Sequence, residues 1–550
     1  MSSRSFLGLV WAAGFSAFVG LEASARAQGN YRSAPLGGRS ALMGGTGIAA
    51  GRDGASPFLN PATIANVDDP GFAFSANFLQ VRSLNIPDFH SPGTVGEQFG
   101  ALELDRTSLT TTDVDLLPST LCFFVNLSGK PTQGQASHRL SFCFGTLERD
   151  AQSKLAIGYR GGSSAARVDQ GQSFLRKWSR FSIGPAYSVH LTDELAVGAS
   201  ISALITNFDQ LSSGNTSIYS SSGRFLATAI DSVTSATSVD VGAAIGVTYK
   251  IDKNYQIGVS AHVPSLHLLG NYSSLYQTQY SGAEDSAYAK RGQGGFRAST
   301  PAKIGVGLAG NLPGARFELD AGFHFPRSRA TEAELTVDEL VAVSGRPAIE
   351  RSAELSYFGN ARPVLNTGVG LEWFFRPKLG LLMGMSTNFS STPPLNEEPT
   401  IGTVTFARAN RAAGSIGLGS YGQGTELVVG LEVSHMWGKS FVLNPFQLPN
   451  RLVPVEQYGW GFVLVVAGAT SLPILMLGGD PGARAAEVFD DWALGLREPN
   501  VRGLIPGRTL LYPHDGDVDG AMRRAAALVH PDLVDPDPVH PDDTTPGVTR

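Results

Sequence analysis

Charged and imidazole side chains recur at every second position of several apolar stretches. In 315–325 (ARFELDAGFHF) the polar positions include Arg316, Glu318, Asp320 and His324. Carboxylates and imidazoles brought close together can exchange protons or hold a metal ion. Polar positions of other alternating stretches add three similar residues: His262, Glu372 and Glu432.

No catalytic motif accompanies these residues. The sequence has no G-x-S-x-G elbow, no H-E-x-x-H pair and no Walker loop. Asp515-x-Asp517-x-Asp519-Gly520 begins like a calcium loop, but Ala526 stands where the twelfth position needs an acid. We therefore expect no enzyme activity, no cofactor and no metal site, and we interpret the alternating polar side chains as the lining of a wet interior.

The alternation itself predicts strands. In 364–375 the large apolar side chains of Leu365, Val369, Leu371, Trp373 and Phe375 oppose Asn366, Gly368, Gly370 and Glu372. A lipid-facing exterior and a watery lumen require this contrast, and a bilayer forces such strands to close into a barrel. A large soluble β-sandwich with one wet face is the alternative.

We predict an all-β transmembrane antiparallel barrel of about fourteen strands. The predicted strands are 71–82, 117–127, 138–147, 179–190, 194–207, 237–250, 255–266, 301–311, 315–327, 363–375, 378–390, 411–419, 425–436 and 458–470. Tight links alternate with long ones, which we interpret as external loops at 83–116, 208–236, 267–300 and 328–362. Counting the short runs 154–160 and 99–105 as strands would give sixteen.

The first residues predict export. Arg4, an apolar run over 6–21 and the small-x-small site Ala25-Arg26-Ala27 indicate a signal peptide over residues 1–27 that is cleaved on export. Together with the barrel pattern, this predicts the outer membrane of a Gram-negative cell.

Two cysteines, Cys122 and Cys143, lie in consecutive apolar runs. A hairpin centred near Thr132 would place them opposite each other, within reach of a cross-strand disulfide. A disulfide and two buried free thiols both remain open.

Residues 36–470 resemble the FadL family of outer-membrane proteins, which transport long-chain fatty acids and aromatic hydrocarbons. The resemblance is carried by Gly44-Gly45-x-Gly47, by Asp53 and Ala55, and by Asn60-Pro61-Ala62. It implies a hatch over residues 28–70 that plugs the lumen of a barrel over 71–470. Gly44, Gly45, Gly47, Asp53 and Asn60-Pro61-Ala62 would form and gate this hatch. The chain departs from the family at Leu59, where an aromatic residue is usual.

The resemblance implies passive, hatch-gated diffusion of hydrophobic small molecules. The expected partners are such a ligand, outer-membrane lipids and the barrel assembly machinery; the net charge of −6 and the lack of a basic stripe exclude nucleic acid. Two alternatives stay open: a secretion-accessory or structural barrel of the same superfamily, and a capping turn that closes the lumen without gating it.

Residues 471–550 are a C-terminal extension of different composition. The stretch 458–470 is predicted as a final strand; residues 459–479 are also apolar enough to suggest a membrane helix, which is the alternative. Two short helices are expected beyond it, followed by a Pro/Asp-rich tail predicted to be disordered.

Overall fold

The computed structural model describes the chain with gaps. The described residues are 30–31, 34–67, 71–90, 107–128, 137–162, 166–220, 225–282, 285–393, 408–422, 425–444, 451–470, 474–478, 488–496, 501–506, 508–511, 513 and 516–529. The predicted signal peptide, Asp515 and the Pro/Asp-rich tail lie outside them. The chain divides into two compact units, Met1–Thr470 and Ser471–Arg550.

In the first unit, the described residues form one sheet of eighteen strands. The strands are β1 (Phe72–His90), β2 (Thr107–Asn126), β3 (Ser137–Gly162), β4 (Ala166–His190), β5 (Leu195–Ser220), β6 (Phe225–Lys250), β7 (Tyr255–His262), β8 (Leu266–Ser281), β9 (Ser286–Phe296), β10 (Lys303–Leu312), β11 (Ala315–His324), β12 (Arg327–Val343), β13 (Ile349–Ala361), β14 (Val364–Arg376), β15 (Leu379–Asn388), β16 (Arg408–Gly422), β17 (Thr425–Asn444) and β18 (Arg451–Thr470).

The sheet closes because β1 pairs with both β2 and β18. All described pairings in it are antiparallel, so the predicted all-β antiparallel barrel is confirmed. This closure pairs the first and last strands of the sheet with each other, as a sheet in lipid requires.

The predicted strand count is wrong. Four further strands, β8, β9, β12 and β13, occupy 267–300 and 328–362, which the sequence predicted to be loops. The predicted loops 83–116 and 208–236 also shorten, because β1, β2, β5 and β6 extend into them. These stretches pair by backbone hydrogen bonds without the contrast between apolar and polar faces on which the sequence prediction depended.

Four interruptions divide neighbouring parts of the wall. They separate β7 from β8, β9 from β10, β11 from β12 and β13 from β14. Each contains a proline: Pro264, Pro301, Pro326 and Pro363. Proline has no N–H to donate to a ladder, so it ends regular pairing locally. We call these four positions the proline row.

The outward face of the wall is apolar. On β11, Leu319 and Phe323 are exposed, and on β14 the exposed side chains include Leu365, Val369 and Trp373. On β18 the exposed aromatic residues are Tyr458, Trp460 and Phe462. The residues between them face inward, so the period of two separates two surfaces of opposite character.

Residues 34–67, the inner segment, lie within the ring of strands. They form α1 (Arg39–Leu42), α2 (Ser56–Leu59) and a 3-10 helix, η1 (Pro61–Asn66). α1 packs against β15, β16, β17 and β18, whereas η1 packs against β3, β4, β5 and β6 on the opposite side. The segment therefore crosses the interior, and nearly all of its residues are buried.

The second unit contains a parallel pair of strands and three helices among its described residues. The strands are β19 (Ile474–Gly478) and β20 (Val501–Pro506), and the helices are α3 (Val488–Gly495), α4 (Arg508–Leu511) and α5 (Val518–Val529). Trp492, Leu510, Ala521 and Ala525 form its core. None of the described helices of the chain is long and apolar enough to cross a membrane.

Candidate functional site

Wall glycines let the inner segment approach the strands closely. A Cβ on Gly198 would lie 2.6 Å from Ala62 N, and one on Gly370 would lie 2.6 Å from Met43 Cβ. Other wall glycines that face the inner segment in the same way are Gly145, Gly246, Gly258, Gly305, Gly307, Gly368, Gly384, Gly417 and Gly430. Because glycine has no side chain, atoms of the inner segment can lie directly against the wall backbone at these positions.

Two carboxylates of β11 hold the backbone of residues 47–50. The amides of Gly47 and Ile48 donate to Asp320 Oδ2 at 2.8 and 3.0 Å. The amides of Ala49 and Ala50 donate to Glu318 Oε1 at 2.8 and 2.9 Å. Hydrogen bonds to a charged acceptor contribute about 1.5–3 kcal/mol each, so these four bonds form a strong attachment.

A buried ion pair joins α1 to the wall. Both Arg39 Nε and Nη2 donate to Glu372 Oε2, at 3.1 and 3.0 Å, and Tyr421 donates to the same carboxylate. Burial lowers the pKa of the Arg39 guanidinium, but the acidic groups around it, Glu372 first, raise it more, and its pKa lies above the usual range. Arg39 therefore stays charged and depends on Glu372.

Asn60-Pro61-Ala62 connects three parts of the structure. Asn60 caps η1, since its Oδ1 accepts from Ala62 N at 3.1 Å. Its Nδ2 donates to Ile48 O at 2.6 Å and to Val247 O of β6 at 3.3 Å. Pro61 occupies the first helical position, where its fixed φ and missing N–H carry no penalty.

The other predicted hatch residues shape the inner segment from within. Gly44 and Gly45 have φ of 67° and 72°, a left-handed conformation that other residues rarely adopt. A side chain on Gly44 would also meet Val369 O at 2.6 Å. Asp53 accepts from Ser40 N and Ser40 Oγ, both at 2.8 Å, and so closes a loop within the segment.

A cavity of about 200 Å³ lies between the inner segment and the wall. Phe58 and Leu59 contribute apolar surface from the inner segment, and Leu204 contributes it from β5. His262, Lys303 and His324, at the strand ends beside the proline row, give the cavity a polar side.

The remaining predicted lumen residues lie in different places. Arg316 approaches Glu372 at 3.8 Å and covers the Phe374 ring. His324 stacks on Tyr31 with ring centroids 4.5 Å apart. Glu432 pairs with Arg411 and lines a separate small cavity. Three of the six predicted residues, Glu318, Asp320 and Glu372, thus meet at the inner segment.

An apolar cluster lies further along the same inner faces, and we call it the outer cluster. Its large members are Trp178, Phe208, Tyr272, Phe296, Leu335 and Tyr357. Trp178 also donates to Glu148 at 2.9 Å, and Glu148 pairs with Arg180, which borders the cavity.

Cys122 and Cys143 stand opposite each other on β2 and β3 and form a disulfide, with Cα atoms 4.2 Å apart. Both are buried beside Ile64 and Val67 of the inner segment. No cluster of His, Cys, Asp or Glu that could hold a metal ion occurs among the described residues.

Sequence reasoning missed Arg39, Tyr31, Lys303 and the outer cluster. Arg39 carried a usable signal, because it is a lone charge in a Gly/Ala-rich stretch. The aromatic members of the outer cluster are scattered along distant strands, so no local pattern joins them.

Comparison with solved structures returns two toluene transporters and a FadL homologue among its matches. The toluene transporter TbuX of Ralstonia pickettii is 17% identical, with 80% of this chain and 99% of that one covered and a TM-score of 0.46. A FadL homologue of Pseudomonas aeruginosa is 13% identical over 80% of this chain and 99% of its own, at a TM-score of 0.45. The toluene transporter TodX of P. putida is 14% identical over the same shares, at 0.48.

Sequence comparison matches only a short part of the chain. A family model described as Cgl0159-like matches residues 462–526, which run from within β18 to α5. No curated protein matches the chain.

Proposed function

We propose that this protein is an outer-membrane channel through which hydrophobic small molecules diffuse passively, gated by the inner segment. The observation that carries the proposal is a closed barrel with an apolar exterior whose lumen is filled by a segment attached through polar bonds. An apolar exterior suits lipid, and an attached but non-covalent filling can be displaced.

The exterior supports a membrane location. Large side chains such as Leu319, Trp373 and Phe462 face outward and are exposed. In water this continuous apolar surface would be unfavourable, whereas in a bilayer it replaces lipid–lipid contacts at no cost. Outer-membrane lipids and the barrel assembly machinery are the partners that such a barrel requires.

The interior of the barrel offers a path for the cargo. A molecule that passes the outer cluster reaches the cavity, whose floor is the inner segment with Phe58 and Leu59. The cavity also borders the proline row at Pro301, where wall pairing is interrupted. We infer that cargo leaves the lumen near this row while residues 47–50 shift away from Glu318 and Asp320.

The ligand class follows from the surfaces met on this path. Long-chain fatty acids and hydrocarbons are the candidates, and the toluene transporters TbuX and TodX resemble this barrel in outline. Passive diffusion suffices, since an apolar molecule needs only shelter from the polysaccharide layer and no energy input.

The test is uptake by intact Gram-negative cells that lack their own hydrocarbon and fatty-acid channels. Expression of the protein should raise the initial uptake rate of labelled toluene or hexadecanoate several-fold over cells with an empty vector. Equal rates, with correctly folded barrel in the outer membrane shown by heat-modifiable gel migration, would refute transport and leave a structural or secretion-accessory barrel.

A further inference from the structure

We propose that the cavity above the inner segment is a binding site for one-ring aromatic compounds that carry an oxygen substituent, such as a phenol or an aromatic acid. This inference rests on the proposed function and names a preferred ligand class for the channel. Plain hydrocarbons and long-chain acids would bind less well.

The polar side of the cavity holds buried atoms that lack partners in the structure. They are Tyr31 Oη, His262 Nε2 and His324 Nδ1. A buried polar atom without a hydrogen bond is costly, and such atoms are few in native proteins. All three residues line the cavity, so a bound oxygen substituent could satisfy them.

Strand pairing fixes this group in one place. Lys303 of β10 lies directly opposite His262 of β7 on one side and His324 of β11 on the other. Side chains opposite each other on neighbouring strands have Cβ atoms about 4.5–5.5 Å apart. Two imidazoles therefore flank an ammonium group, and Tyr31 stacks on one of them.

The acidic groups that line the cavity are already engaged. Asp320 accepts the amides of Gly47 and Ile48, and Glu148 pairs with Arg180 and accepts from Trp178. The groups that remain for a ligand are therefore the Tyr31 hydroxyl and the imidazoles of His262 and His324. Such groups donate to and accept from a hydroxyl, and donate to a carboxylate.

The size and the lining of the cavity favour a ligand with a single ring. The cavity of about 200 Å³ is smaller than the roughly 300–1,000 Å³ that drug-sized ligands occupy. Phe58, Leu59 and Leu204 provide apolar contact within the same cavity. A single ring with one polar end matches these surfaces, whereas an extended fatty-acid chain exceeds them.

The experiment compares three probes that share one ring: toluene, 4-methylphenol and 4-methylbenzoate. Binding to the purified full-length protein in detergent is measured by calorimetry, with hexadecanoate as the long-chain comparison. We expect at least one oxygenated probe to bind about tenfold or more tightly than toluene, because the unpaired atoms gain partners. Preference for the phenol indicates neutral recognition, and preference for the acid indicates a role for the Lys303 charge.

Two variants test whether cavity residues cause the preference for oxygenated probes over toluene. Tyr31→Phe removes only a hydroxyl, and His324→Phe keeps a ring while removing the nitrogens. Each should lower affinity for the oxygenated probe about three- to tenfold and leave toluene binding unchanged. His138→Phe is the matched control, since His138 lies beside the exposed Tyr187 on the outward face.

Equal binding of all three one-ring probes to the wild type, or tighter binding of hexadecanoate, would overturn the inference. Undiminished preference in both variants would overturn it as well. In each case toluene or hexadecanoate uptake by cells would still support transport. Loss of uptake together with loss of all binding would instead refute the proposed function.

Discussion

Two levels of the lumen are held together by different physical means. At the inner segment, backbone amides meet carboxylates of the wall, and glycines allow close approach. At the outer cluster, aromatic and aliphatic side chains such as Trp178, Phe208 and Tyr357 pack together. Hydrogen bonds require one defined geometry and break together when that geometry is lost. Apolar contacts tolerate rearrangement, and an apolar ligand can replace them.

From this difference we propose a role for each level. The polar level suits a gate, because it is either attached or released. The apolar level suits a first binding surface, because a hydrophobic molecule can exchange its contacts with those of the cluster at little cost. Substitutions at the two levels should therefore differ in both size and kind of effect.

The largest effect is expected for Glu372→Ala. It leaves the buried Arg39 charge without its partner, which costs about 3–5 kcal/mol. We expect the inner segment to detach, so that purified protein in planar bilayers shows a large rise in ion conductance. Glu350→Ala, on the exposed part of β13, is the control and should conduct like the wild type. Wild-type conductance in Glu372→Ala would contradict the attachment.

A smaller effect is expected for Asp320→Asn. The amide keeps the size of the side chain but weakens the acceptor for Gly47 and Ile48, a loss of about 1.5–3 kcal/mol. Hydrogen exchange at the amides of Gly47 and Ile48 should accelerate roughly 10- to 100-fold. Exchange in η1 should change less, because Asn60 holds it separately. Unchanged exchange at Gly47 and Ile48 would show that the Asp320 carboxylate does not hold them.

The sequence predicted much of the wall and little of the attachment. Each predicted strand range overlaps a strand, because a lipid-facing surface imposes large apolar side chains at every second position. β8 and β12 escaped prediction because stretches such as NYSSLYQTQYS place polar side chains on both faces. The signature Asn60-Pro61-Ala62 located the inner segment. The hydrogen bond from Gly47 N to Asp320 joins residues 273 positions apart, and no local pattern contains both residues.

The smallest effect is expected for Phe208→Leu in the outer cluster. The substitution removes the ring contact with Trp178, whose centroid lies 6.3 Å away, and costs about 1 kcal/mol. Thermal stability should fall slightly, with conductance and exchange at residues 47–50 unchanged. An opened channel in this variant would show that the outer cluster, and not the inner segment, blocks ions.

The central claim is that movement of the inner segment admits the cargo. A Cβ on Gly54 would lie 3.2 Å from Thr120 Cβ on β2, close to disulfide geometry, so Gly54→Cys with Thr120→Cys can tie the segment to the wall. The native pair is replaced by Cys122→Ser and Cys143→Ser to prevent exchange.

The measurement is the initial rate of labelled toluene uptake by cells with oxidised or reduced protein, with the cross-link verified by mass spectrometry. We predict uptake near the empty-vector rate when the cross-link is formed and several-fold faster uptake after reduction. Equal, fast uptake in both states would contradict gating by the inner segment.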